Sequence, residues 1–199
     1  MKKILEIISS ARGAASNSTQ LTHTIIEKLK AQYPGSTVTQ RDLVQKKYPH
    51  LEESHLSAFF APPENENEAY KTAIQHSDEA IHELEAADIV VIGVPVYNFS
   101  IPSALKAWID HVVRAGRTFS YGNGHPEGLL KNKKVYLAVA SGGVYSDGPM
   151  KSMDYAEPYL KWILGFIGLN DVTTFRVEGL SVPDLKETAL QKGLESVAV

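Results

Sequence analysis

Hydroxyl groups crowd the loop that follows the first apolar run of the chain. The run spans residues 4–8, and the loop after it carries Ser10, Ser16, Ser18 and Thr19. Hydroxyls and the free backbone N–H groups of a helix start bind a phosphate group without much positive charge. The loop holds a single glycine, so it matches neither the dinucleotide fingerprint G-x-G-x-x-G nor a P-loop. The pattern indicates a phosphate site, with a solvated loop that ends in a serine N-cap as the alternative.

Two later loops, each after an apolar run, suit a flat heteroaromatic ligand. The loop over residues 95–102 contains aromatic rings, which pack against such a ligand, and the amide of Asn98, which hydrogen-bonds its polar rim. The loop over residues 140–145 contains Gly142-Gly143, which permits a close backbone approach and leaves N–H groups pointing outward. The alternatives are a hydrophobic plug with a helix N-cap for the former and a turn with positive φ for the latter.

Strand and helix patterns alternate along the chain and position these loops. Four runs are apolar and rich in β-branched residues, which is typical of strands buried on both faces of a parallel sheet, and a more polar fifth predicts an edge strand. The runs span residues 4–8, 36–40, 89–94, 135–140 and 172–177. Helical patterns cover residues 21–29, 70–84, 105–113 and 159–167, and the tail from residue 184 onward. The predicted fold class is α/β, a doubly wound sheet, in which ligands bind beyond the carboxyl ends of the strands.

Composition narrows the function. The chain has 199 residues, a formal net charge of −3 and no cysteine. This charge lacks the basic excess of a nucleic-acid binder, and without cysteine any redox chemistry must come from a cofactor. No metal-ligand or hydrolase motif is present, so we predict no metal and no side chain that acts as a catalytic acid or base. The apolar runs are too short for a signal peptide or a membrane helix, so we expect one domain over residues 1–199, no membrane partner and a cytoplasmic location.

One connection, over residues 44–67, is long for a compact domain. It carries Pro49, Pro62-Pro63 and the aromatic pair Phe59-Phe60. Connections of this length are usually functional or belong to an interface. A surface excursion with one short helix is the alternative.

Motifs along essentially the whole chain resemble one family. They are Ser10, Ser16-Asn17-Ser18, Pro95-Val96-Tyr97-Asn98-Phe99, Arg114-Ala115-Gly116-Arg117-Thr118-Phe119, residues 124–129, Ala140-Ser141-Gly142-Gly143, Asp147-Gly148-Pro149 and Leu164-Gly165-Phe166-Ile167-Gly168. With their spacing, they resemble the bacterial FMN-dependent NADH-azoreductase/quinone reductase family. That family is flavodoxin-like and dimeric, and it binds FMN non-covalently. The resemblance implies a flavodoxin-like, five-stranded parallel sheet of order 2-1-3-4-5 flanked by helices, and a homodimer.

The same resemblance implies roles for individual residues. Ser10, Ser16, Asn17 and Ser18 would hold the FMN phosphate. Val96, Tyr97, Asn98 and Phe99 would run along the isoalloxazine, and Ala140, Ser141, Gly142 and Gly143 would close its other side. The flavin carries the hydride chemistry at N5, with NADH or NADPH as donor and a quinone or aromatic azo compound as acceptor. The electron donor and the acceptor would occupy the same slot in turn, which predicts ping-pong kinetics. The predicted walls of the substrate slot, some of them reaching across a dimer interface, are Phe60, Phe119, Tyr121 and Phe166, with core packing as the alternative.

The chain departs from the family pattern at three positions. Val96 stands where the family often has methionine, Ser141 where it has arginine, and Tyr145 where it has histidine. The last two changes bear on the azo-dye preference and the choice of nicotinamide. Two other functions stay open: a flavodoxin-type electron carrier that docks to protein partners, and a flavodoxin-like subunit that binds no flavin. Flavodoxin-type carriers usually have a more negative net charge than −3, because charge steers their encounters with protein partners. The small net charge of this chain therefore favours the reductase.

Overall fold

A five-stranded parallel sheet lies at the centre of the computed structural model, which describes residues 1–61 and 67–199. The strands are β1 (Lys3–Ile8), β2 (Thr37–Asp42), β3 (Ile89–Pro95), β4 (Phe119–Ser120), β5 (Glu127–Gly128), β6 (Lys134–Ala140) and β7 (Asp171–Val177). The sheet has the order β2-β1-β3-β6-β7, and β4 and β5 form a separate antiparallel pair. Counted over the five long strands, this is the order 2-1-3-4-5, so the predicted fold class is confirmed.

Burial along the strands follows their hydrophobicity. Every residue of β3 is buried, and the register places Ile92 between Ile7 of β1 and Leu137 of β6. The more polar β2 leaves its side chains exposed or half-buried, because it lies at an edge of the sheet. It begins one residue later than the sequence predicts and extends to Asp42. The predicted burial is therefore confirmed for β1, β3 and β6, and the predicted polar edge strand for β2. The expectation that residues 172–177 are buried on both faces is wrong, because β7 forms the other edge of the sheet and is mostly half-buried.

Helices cover both faces of the sheet. They are α1 (Asn17–Gln32), α2 (Glu53–Phe59), α3 (Glu68–Ala86), α4 (Ser103–Val112), α5 (Glu157–Phe166) and α6 (Ala189–Glu195). Side chains of α1 and α6 pack on one face, and those of α3, α4 and α5 pack on the other. The last helix begins at Ala189, later than predicted, because turns occupy the residues before it. None of the helices in the described ranges is long and apolar enough to cross a membrane.

In its described residues, the long connection over residues 44–67 contains one short helix, α2, which packs beside α3. Tyr48 is buried in the core, and His55 and Ala58 of α2 are also buried. The described part of the connection therefore contacts the domain through these three side chains, while most of its other residues are exposed, as expected for the alternative of a surface excursion with one short helix. The Pro62-Pro63 pair lies outside the described residues.

Candidate functional site

The three predicted loops meet at one end of the sheet, because they follow the carboxyl ends of the parallel strands β1, β3 and β6. This carboxyl-terminal end is the edge of the sheet at which the candidate site lies. Strand β3 lies between the other two, so its loop is central. Two hydrogen bonds join the loops directly. The hydroxyl of Ser10 lies 3.4 Å from that of Tyr97, and the Val96 N–H donates to the Ala140 carbonyl at 2.8 Å. Sheets of this topology bind ligands at this edge.

The first loop places buried hydroxyls at the start of α1. Ser16 is the N-cap, and its Oγ accepts a hydrogen bond from the Thr19 N–H at 3.2 Å. The same Oγ lies 3.0 Å from the hydroxyl of Ser18. The first turn of a helix also leaves the N–H groups of Asn17 and Ser18 without intrahelical partners. With no acidic residue in that turn, the helix start suits an anion.

The second loop is a tight turn with a strained backbone. Tyr97 and Ser100 exchange two backbone hydrogen bonds of 3.0 Å, and the residues between them, Asn98 and Phe99, have φ values of 49° and 66°. Left-handed conformations of non-glycine residues cost free energy, and they persist only where the surroundings enforce them. The turn leaves the side chains of Asn98 and Phe99 exposed at the edge of the sheet. They can therefore contact a ligand that lies there.

The third loop continues β6 alongside the segment that follows β7. The carbonyls of Ser141, Gly142 and Gly143 accept backbone hydrogen bonds from that segment at 2.9–3.3 Å. In the described ranges of the chain, no residue accepts a hydrogen bond from the N–H groups of Gly142 and Gly143. Neither glycine has a positive φ, so the alternative of a positive-φ turn is wrong. Space is restricted at Gly142 instead, because a Cβ there would lie 2.8 Å from Ser181 Oγ and that hydroxyl would have to turn away.

Three of the four predicted wall residues form one aromatic group. The ring centroids of Phe119 and Phe166 lie 4.6 Å apart, and that of Tyr121 lies 5.5 Å from Phe119. Trp162, which sequence reasoning missed, stacks on Phe166 at 5.7 Å and is 67% exposed. Within residues 1–61 and 67–199, no ring contact joins Phe60 to this group. The structure therefore brings together Phe119, Tyr121 and Phe166 and leaves Phe60 apart.

Phe60 follows the end of α2, and a buried histidine anchors that helix. The Nε2 atom of His111 lies 3.0 Å from the Pro49 carbonyl oxygen, and the His111 ring meets Phe59 edge-on at 6.1 Å. Burial lowers the pKa of His111, and the Pro49 carbonyl only partly opposes this, so the neutral ring is favoured. The Arg114 guanidinium lies 5.3 Å from the Phe59 ring centre. These contacts hold α2 in place while Phe60 remains 77% exposed.

Sequence reasoning also missed a carboxylate that holds the third loop. The Glu178 side chain, just beyond β7, accepts hydrogen bonds from the N–H groups of Tyr145 and Ser146 at 2.8 and 3.0 Å. The Tyr145 ring in turn meets Phe99 edge-on at 6.1 Å, which links the second and third loops. The available signal was the position of Glu178 at the carboxyl end of a strand, where ligand-site residues are expected.

Comparison with known proteins extends over the whole chain. The family model for the flavodoxin-like fold matches residues 2–199. The FMN-dependent NADH:quinone oxidoreductase of Beijerinckia indica is 45% identical over 198 residues, which is 100% of this chain and 98% of that protein. The crystal structure of an azoreductase from Bacillus anthracis superposes with a TM-score of 0.90 at 32% identity, covering 98% of this chain and 96% of the other.

A second Bacillus anthracis structure, an FMN-dependent NADH-azoreductase in complex with FMN, has a TM-score of 0.85 at 28% identity, with 97% and 94% of the chains covered. These matches confirm the resemblance carried by the sequence motifs. The chain therefore belongs to the flavodoxin-like fold family, among the FMN-dependent NADH:quinone oxidoreductases.

Proposed function

We propose that this chain is an FMN-dependent oxidoreductase that passes two electrons from NADH or NADPH to quinones and aromatic azo compounds. The observation that carries the proposal is the meeting of three loops at the carboxyl ends of the strands: one is rich in buried hydroxyls, one is aromatic, and one has N–H groups without an acceptor among the described residues. The names of the relatives, an NADH:quinone oxidoreductase and two azoreductases, support the reaction and both acceptor classes.

The residues at this edge fit the two ends of FMN. Ser10, Ser16, Asn17 and Ser18 offer hydroxyls, an amide and helix-start N–H groups to the phosphate. Gly142 and Gly143 are half-buried, and within the described residues their N–H groups have no acceptor, so they are free to donate to a ligand that lies beside them. A ring between the loops would meet Val96, Tyr97, Asn98 and Phe99 on one side and Ala140, Ser141, Gly142 and Gly143 on the other.

The chain's own part in the reaction is binding and electrostatics. When bound, FMN supplies the hydride chemistry at its N5 atom. The N–H groups of Gly142 and Gly143 are fixed dipoles that stabilise negative charge on a ligand beside them. No side chain is proposed as a proton donor or acceptor. Donor and acceptor would use the same slot in turn, so we expect parallel lines in double-reciprocal plots of a ping-pong mechanism.

We infer a homodimer from the exposed aromatic residues. Tyr121 and Trp162 are each 67% exposed and are connected through the rings of Phe119 and Phe166, and contiguous exposed apolar patches mark interfaces. A second copy that covers them would place Phe60, Phe119, Tyr121 and Phe166 near a cofactor site as slot walls. The variant W162E should shift the chain from dimer to monomer in sedimentation velocity. An unchanged dimer would exclude Trp162 from the interface.

A visible spectrum followed through a redox cycle tests the proposed function. The purified chain with FMN should be yellow, bleach on addition of NADH without oxygen, and recover its colour on addition of a quinone. A flavodoxin-type carrier would stay oxidised in NADH without a partner reductase, and a chain that takes up no FMN would refute the proposal. Repeating the titration with NADPH and an azo dye tests the donor choice and the effect of Ser141 and Tyr145.

We also infer that residues 1–199 form a single FMN-binding domain and that the enzyme acts in the cytoplasm. The two hydrophobic clusters lie on opposite faces of the same sheet, which supports one cooperative unit. Coincident urea unfolding curves from tryptophan fluorescence and circular dichroism are the expected result for one domain. Two separate transitions would contradict it.

A further inference from the structure

One guanidinium lies among three carboxylates at the carboxyl end of β7. Arg176 donates to Asp154 Oδ2 at 2.5 Å, to Glu157, and to Glu178 Oε1 at 3.1 Å. All four side chains are largely buried, with exposed fractions between 9 and 18%. Buried charges of this kind are normally paired, and here three carboxylates share the same arginine.

Two of these carboxylates also hold backbone near the proposed flavin site. Glu178 accepts from the N–H groups of Tyr145 and Ser146, which follow the Gly142-Gly143 pair. Asp154 Oδ1 accepts two N–H groups at the start of α5, both at 3.0 Å. Between Asp154 and α5, the Tyr155 N–H donates to the Phe99 carbonyl at 3.3 Å. The arginine therefore connects, through one carboxylate each, to both loops that flank the site.

Loss of the guanidinium would leave the carboxylates buried and close to one another. Burial by itself raises the pKa of Glu157, but hydrogen bonds from Lys161, Thr174 and Arg176 outweigh it and lower the pKa to about 2. Glu157, one of the three carboxylates, is thus held ionised by its cationic and hydroxyl partners. Without Arg176 the three carboxylates would repel and turn toward water, because an uncompensated buried charge is strongly unfavourable. The N–H groups that they accept from would then lose their partners.

We propose that Arg176 is a positioning residue that fixes the two loops flanking the FMN site, an inference that rests on the proposed function. Through Glu178 it holds the loop of Gly142 and Gly143, and through Asp154 it holds the segment that binds the Phe99 carbonyl. Phe99 has a left-handed backbone, which persists only where the surrounding structure supports it. The network supplies that support from outside the loop.

The variant R176M, with R41M as a matched control, tests this role. Arg41 lies on β2, the opposite edge strand; it is equally buried, at 12% against 13%, and it pairs with Glu83 of α3. In the full chain, amide hydrogen exchange is measured at Tyr145, Ser146 and Tyr155, and FMN affinity is measured by quenching of FMN fluorescence. In R176M, exchange at the three amides should rise about tenfold or more, and the FMN dissociation constant should rise about 10- to 100-fold.

The control and a conservative variant separate positioning from general destabilisation. R41M should lower the unfolding midpoint and leave both measurements at their wild-type values. R176K keeps the charge but not the planar fork, so it should lie between wild type and R176M, and it replaces R176M if that variant does not fold. If the exchange rates or the FMN affinity are unchanged in R176M, or if R41M changes them equally, the role of Arg176 is wrong while the proposed function still stands. A wild-type chain that binds no FMN overturns the proposed function and this inference together.

Discussion

Replacement of Ser16 with alanine separates two consequences of one hydroxyl. Ser16 is 1% exposed, caps α1 through the Thr19 N–H and contacts the Ser18 hydroxyl. Loss of a serine N-cap lowers the free energy of unfolding by about 1 kcal/mol. Loss of a hydrogen bond to a charged phosphate lowers the free energy of binding by about 1.5–3 kcal/mol. S16A should therefore lose stability modestly and FMN affinity strongly.

Different measurements report the two losses. Urea unfolding of the flavin-free chain reports the cap, and quenching of FMN fluorescence reports the phosphate contact as a rise of about 10- to 100-fold in the dissociation constant. Riboflavin lacks the phosphate, so S16A and wild type should bind it equally. The matched control is N67A, because Asn67 caps α3 by accepting from the Tyr70 N–H at 2.9 Å. N67A should lose similar stability and keep its FMN affinity.

Three results would contradict this reasoning. Wild-type FMN affinity in S16A would show that its hydroxyl does not contact the phosphate. Equal losses for riboflavin and FMN would trace the effect to a displaced loop. A weaker affinity in N67A would mean that destabilising any helix weakens binding.

Three further predictions concern the slot, the pH dependence and the backbone. F60A should lower kcat/KM for a quinone about tenfold while changing the free energy of unfolding by less than about 0.5 kcal/mol, because Phe60 is exposed; an unchanged kcat/KM contradicts the wall assignment. The pKa of Glu157 is lowered from 4.5 to about 2, so its stabilisation is present above pH 4.5 and is lost as pH falls through 2. The difference in unfolding free energy between wild type and E157Q, about 3 kcal/mol near pH 6, should accordingly shrink toward pH 2, and a constant difference refutes this. A Cβ on Gly128 would lie 2.1 Å from the Gly168 nitrogen, whereas one on Gly122 meets no atom within 4 Å. G128A should therefore lose more than about 3 kcal/mol in urea unfolding and G122A less than about 0.5 kcal/mol, and equal losses would contradict the packing at Gly128.

The sheet could be predicted from the sequence because its signals are local. Strand β3 is apolar throughout, which only a strand covered on both faces requires, and the structure buries all of it. The two-residue strands β4 and β5 carry no such periodicity, because their pairing depends on the turn between them and on contact with Gly168. The sequence predicts a helix from residue 184, whereas α6 begins at Ala189, since the turn residues before it share the polar composition of a helix surface.

The candidate site likewise has features that the local sequence predicts and features that depend on tertiary contacts. The loops around Ser16, Tyr97 and Gly142 were predicted because residue type and position after a strand are visible in the sequence. The alternative of a positive-φ turn at Gly142 is wrong, and the close approach of Ser181 to this glycine is a tertiary contact that no local pattern contains. The proposed roles of these loops in holding FMN stay predictions.

The supporting network was not predicted, although a signal for it exists. Arg176 and Asp154 are 22 residues apart, and Glu178 lies 33 residues from Tyr145, so only the register of β6 and β7 brings them together. A charged residue normally indicates a solvated face, but Arg176 lies between Phe175 and Val177, which are both buried in the core. An arginine at the carboxyl end of such a strand must find its partners within the protein, because the cost of burying it alone is too large. In doubly wound sheets that edge is also where the ligand binds, so the partners of such an arginine are expected among the segments that hold the ligand loops.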